Sequence, residues 1–175
     1  SYPNGAGSNV VLRKLVSRKP MRDRFINRFL VQLATNLSPA STTHAMDSLM
    51  SSIRSEIPRD VARWHLSVNT QANETKVIRT FLERRPDVIR TGMRTFFGLD
   101  ATVQVAMSAP GGTIFVEDML AGSSYSGTHY QNLPITIEAV GSGSKVFMGW
   151  SDGVKSARRV VVPGTDPVQL VANFQ

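Results

Sequence analysis

The chain has 175 residues, 41% of them hydrophobic, no cysteine and a formal net charge of +7. That length can bury a core in one domain or two small ones, while the lack of cysteine excludes disulfides and thiolate metal sites. No run approaches the ~20 consecutive apolar residues of a membrane span. The charge is uneven: residues 1–98 hold 16 Lys+Arg against 7 Asp+Glu, residues 99–175 hold 4 against 6. Such asymmetry fits nucleic acid, an anionic surface or a phosphorylated partner.

The opening SYPNGAGSN is polar and lacks the apolar core of a signal peptide. It reads as a flexible lead-in, with Ser8 or Asn9 capping a short helix through VVLRKLVS. Next comes the stretch richest in information, MRDRFINRFLVQLATNLSP at 21–39. Met21, Phe25, Phe29, Leu30 and Leu33 recur at helical spacing, so the reading is an amphipathic helix from about 20 to about 35, begun at Pro20. Arg22, Arg24 and Arg28, with Arg13, Lys14, Arg18 and Lys19 before them, form the densest basic cluster. They are either a solvated face or a docking face.

Ser38-Pro39 opens a third helix with Ala45, Met46, Leu49, Met50 and Ile53 as its stripe, its methionines read as core filler. Pro58 interrupts, and RDVARW adds a turn or two carrying Trp64, expected to anchor helices by burying its ring. SVNTQANET (67–75) reads as a loop with a cap at Asn73 or Thr75. A helix then follows through Val77, Ile78, Phe81 and Leu82. Arg85-Pro86 is expected to kink or restart it, and a last helix through Val88, Ile89, Met93, Phe96 and Phe97 ends at Gly98.

From Leu99 the period changes from helical to alternating. Thr102–Met107 and Thr113–Glu117 flank the turn at Ala109-Pro110-Gly111-Gly112, and further runs occupy Leu133–Val140, Val146–Trp150, Arg158–Val162 and Val168–Phe174. The expected fold is therefore α+β: a small bundle of about five helices over 1–99, then six strands forming an antiparallel sheet or sandwich over 100–175. Trp150, Tyr125 and Tyr130 are candidate rings for binding sugar or peptide, weighed against core packing.

No glycine-rich phosphate cradle occurs, and Lys145 lies in a turn without acidic partners nearby. Asp100, Glu117 and Asp118 read as scattered acids. His44, His65 and His129 lie far apart without ligand spacing, as ordinary surface or partly buried histidines. No metal ligand or catalytic residue is assigned. The sequons Asn36-Leu37-Ser38 and Asn73-Glu74-Thr75 matter only in a eukaryotic secretory route.

Several ordered segments, VVLRKLV (10–16), RDRFINRFLVQLATNLSP (22–39), EIPRDVARW (56–64) and VIRTFLERRPDVIRTGMRTFFGL (77–99), resemble the carboxy-terminal helical part of the CotH family. Those spore-coat-protein-H-like proteins are regarded as atypical, secreted or surface protein kinases. The resemblance implies a parent kinase using ATP and a divalent metal, whose lysine and acidic motifs lie upstream. It implies no cofactor and no chemistry for this stretch by itself, and a partner in that upstream catalytic part. Residues 111–174 resemble the small bacterial-repeat modules of surface proteins, through Pro-Ile-Thr-Ile-x-Ala (134–139), Phe-x-Gly-Trp-Ser-x-Gly (147–153) and Ala-x-Phe (172–174), with Gly141–Lys145 departing from the usual loop. The alternative reading is a non-enzymatic surface-binding or adhesion module that recognises protein or glycan. Nucleic-acid binding ranks last because no reading motif is present.

Overall fold

The computed structural model describes residues 10–175; the expected lead-in over 1–9 and its caps at Ser8 or Asn9 lie outside the described residues. Among these are five helices, α1 (Val10–Val16), α2 (Lys19–Ala34), α3 (Pro39–Ile53), α4 (Ile57–Trp64) and α5 (Val68–Phe97). Eight strands follow: β1 (Thr102–Ser108), β2 (Gly112–Val116), β3 (Met119–Gly122), β4 (Ser124–Tyr130), β5 (Ile135–Gly141), β6 (Phe147–Trp150), β7 (Arg158–Val161) and β8 (Val168–Phe174). The fold is α+β, as the change of period implies. By contact the described residues divide into two compact units, one of residues up to 31 with 98–175 and one of residues 32–97.

In the first unit the strands form two four-stranded sheets, β4-β1-β8-β6 and β3-β2-β5-β7. β2 and β3 touch β4, and β5 touches β6, so the sheets face one another. Alternation supplies the core between them. Val103, Val105 and Met107 of β1, Ile114 and Val116 of β2, Ile135, Ile137 and Ala139 of β5, and Leu170 and Ala172 of β8 are all buried. β1 pairs parallel with β8, unlike the other pairings, which are antiparallel. The long connection through six intervening strands allows this.

Two strands, β3 and β4, were not expected. β3 is four residues long and half-buried, too short to show alternation. β4 alternates, but its inward positions are Tyr125, Gly127 and His129, which do not register as an apolar series. Gly112 faces Gly141 across the β2–β5 ladder. A Cβ at Gly112 would lie 2.4 Å from the Phe174 ring, so the close approach requires glycine there.

The second unit holds α3, α4 and α5. Ser38 caps α3 by accepting from the Ser41 N–H at 3.2 Å, with Pro39 in the first turn. α5 corrects two expectations. It begins at Val68, so the polar stretch expected as a loop is helical, and it continues for 30 residues through Pro86 without a restart. Gln71 and Thr75 lie half-buried on the same helix face as Leu82, Pro86, Ile89 and Met93. Burial of that shared face against α3, which α5 contacts, outweighs the low local propensity. Arg79 also bonds Asp47 of α3. Gly98, at φ 63°, ends the chain of helices as expected.

His129 corrects the expectation of a surface or partly buried histidine. It is fully buried, its Nε2 is 2.7 Å from the Tyr125 hydroxyl, and its Nδ1 has no partner. Burial lowers its pKa to about 4 from the usual 6.5, so the folded chain holds it neutral. Between those values the unfolded chain binds the proton and the folded chain does not. His129 therefore makes stability fall as pH drops from 6.5 to 4, by about 3 kcal/mol. Thermal melts across that window should show the loss, and His129→Gln should flatten it.

Candidate functional site

The most elaborate polar arrangement in the first unit joins α2 to the turn between β2 and β3. Val116 pairs with Met119, which leaves Glu117 and Asp118 as a two-residue hairpin loop. Their φ values are 53° and 62°, the left-handed geometry of a type I′ turn that normally selects Asn-Gly. Neither residue adopts it at low cost, so surrounding contacts must hold it.

Those contacts are specific. The Glu117 N–H donates to the Thr136 carbonyl at 2.8 Å, and the Thr136 N–H donates to Glu117 Oε1 at 2.8 Å. The pair of bonds extends the β2–β5 ladder one step past the last strand residue. From α2, Asn27 Nδ2 donates to the Pro134 carbonyl at 2.7 Å and reaches Glu117 Oε1 at 3.4 Å. Asp118 receives Arg24 and Arg158, each at 2.7 Å, and Arg158 also bonds Glu138, opposite it in the β5–β7 register, at 2.7 Å. Lys19 and Asp23 close the outer edge at 2.5 Å. A cavity of about 380 Å³ lies among these side chains.

Electrostatics divides the two acids of the turn. Burial raises the Glu117 pKa, opposed by the Thr136 N–H and by the charge of Arg24. The Arg158 hydrogen bond lowers that of Asp118, aided by Arg24 and Arg28. Asn27 is 1% exposed and its Oδ1 has no partner.

Of the residues expected at an interaction site, the structure brings Arg24 into this junction. Arg22 lies beside Asp23 at 3.4 Å, and Arg28 is exposed. Trp64 corrects the expectation of a buried anchor: it is 62% exposed, with the Arg63 guanidinium 5.4 Å from its ring centre. Trp150, Tyr125 and Tyr130, weighed as binding rings, are instead buried in the sandwich, at 2%, 4% and 0% exposure. Trp150 and Tyr125 lie at inward positions of β6 and β4, while Tyr130 is buried at the opposite parity of β4. Trp150 donates its indole N–H to the Ser156 carbonyl at 3.1 Å and stacks edgewise on Phe147. Asn27 and Arg158 carry no signal of a site in the sequence, and Glu117 and Asp118 read there as scattered acids. Two adjacent residues between alternating runs could have marked the turn, but Glu-Asp is not a turn pair by composition.

Among the described residues no three histidine or acidic side chains are grouped to hold a metal ion. The acids of the junction are occupied by arginines and backbone N–H groups. The arrangement fastens a helix to a sheet. Asn27→Ala should cost about 1–3 kcal/mol in urea unfolding, because it leaves the buried Pro134 carbonyl and Glu117 short of a donor. Arg24→Ala, which removes an exposed pair, should cost less than about 1 kcal/mol.

The sequence profile of the family described as CotH kinase protein matches residues 1–89 of the 175, from the start of the chain through most of α5. Neither the curated proteins nor the solved structures contain a match. With more than half of its length matched, the chain belongs to the CotH kinase protein family.

Proposed function

We propose that this chain is a supporting, non-catalytic portion of a secreted or surface kinase of the CotH type. Its helices buttress the part that binds ATP and metal, and its β module extends or anchors the assembly at the cell surface. The observation that carries this reading is the second apolar face of α5. Val77, Ile78, Phe81, Val88 and Phe96 are each about half exposed or more. At 100° per residue they fall within roughly a 100° arc. The half-buried face of the same helix, through Arg79, Leu82, Ile89 and Met93, adjoins that arc, so the two together span roughly 200°. A helix whose apolar surface runs on past the face packed within its own unit is suited to a second packing partner. Family membership makes the catalytic part of the same protein the natural one. The adhesion alternative loses its motivation from aromatic rings, since Trp150, Tyr125 and Tyr130 are enclosed.

The test is the size and behaviour of the native product in its source cells. Detection with an antibody to this chain should reveal a protein several times its 19.2 kDa mass. Phe81→Asp with Val88→Asp in that product should lower its melting temperature and kinase activity together. A native product near 19 kDa would remove the catalytic partner and the reading with it.

A further inference from the structure

The second unit contains one surface whose charge opposes that of its surroundings. A groove of about 460 Å³ is lined by Ile53 at the end of α3, by Ile57 and Val61 of α4, and by Leu66 in the turn before α5. Glu56, Asp60 and Glu74 also line it, and no lysine or arginine does. Residues 32–97 hold nine Lys+Arg against six Asp+Glu, so half of the unit's acids gather on one groove inside a basic unit. α4 explains the sorting: its positions 57, 60 and 61 face the groove, while Arg59 and Arg63 do not line it. His65 closes α4 in the left-handed conformation, at φ 51°, and the chain turns there to bring Leu66 to the groove. Ile53 and Leu66 are 50% and 48% exposed. Glu56 is paired only with exposed Arg59, at 3.0 Å. Among the described residues neither Asp60 nor Glu74 has an ion-pair partner.

We propose that this groove docks a cationic amphipathic segment of a partner protein. The apolar side chains of the segment rest on Ile53, Ile57, Val61 and Leu66, and its lysines or arginines reach Glu56, Asp60 and Glu74. Complementary charge at the rim sets orientation and association rate, while the apolar floor supplies the affinity. The charge argument selects this occupant over an anionic or neutral one, and it is independent of the kinase reading.

The probe is a fluorescent peptide of about 15 residues, with Leu and Lys at helical spacing, titrated into the full chain and read by anisotropy. Saturable binding that weakens with added salt is expected. Asp60→Lys with Glu74→Lys should weaken it about tenfold or more, and Leu66→Asp should do likewise. Circular dichroism and melting temperature check that each variant is folded; Asp60 and Glu74 are exposed, so the charge reversal is the variant that retains the fold. The proposal is overturned by no saturable binding, by equal affinity for the charge-reversed chain, or by equal affinity for a Leu/Glu peptide. Self-association abolished by the same substitutions, with no peptide binding, would also overturn it and assign the groove to a second copy. Each of these results leaves the native-mass test of the kinase reading unaffected.

Discussion

The left-handed turn at Glu117-Asp118 is the constraint on which the first unit depends. A two-residue hairpin whose residues both have positive φ is unfavourable for side chains of this size. It persists because each residue is held from outside the hairpin. Glu117 is clamped to Thr136 through both its backbone and its carboxylate, and Asp118 lies between Arg24 and Arg158. The strain and the contacts are therefore one feature. Residues that would relax the backbone, such as Asn-Gly, would lack the carboxylates that receive α2 and β7.

This explains why α2 belongs with strands more than 80 positions away in the sequence. Asn27 is the only buried polar residue of α2, and it satisfies a carbonyl, that of Pro134, which has lost its neighbour in the ladder as β5 begins. The exposed ion pairs around it contribute little stability each, but they fix the register of helix on sheet. The buried amide contributes more, because its absence would strand polar groups away from water.

The helical unit follows a different logic. Few of its apolar side chains are enclosed, and α4 buries none. Its longest helix runs through a proline because one face is packed, and it presents another apolar face to solvent. The exposed rows and the acid-rimmed groove on the same unit differ in chemistry. The former is flanked by Arg84 and Arg85, and Arg85 covers Phe81 at 5.3 Å; the latter carries only negative charge.

The sequence alone determined the class of fold, most element positions and the family. These follow from local rules: a period of 3.6 giving way to a period of 2 at Leu99, Ser38-Pro39 at a helix start and Gly98 at a helix end, and ordered motifs spread over the first half. Tertiary structure decided what those rules do not contain. It buried Trp150, Tyr125, Tyr130 and His129, because inward or outward placement depends on which sheet faces which. It kept α5 helical through Val68–Thr75 and Pro86, because packing of a shared face outweighs local propensity. It also made a site from Asn27, Glu117, Asp118 and Arg158, residues that are unremarkable in sequence. Only when sheet and helix meet do an amide, two acids and an arginine come within hydrogen-bonding distance, and no periodicity encodes a meeting between residues 27, 117 and 158.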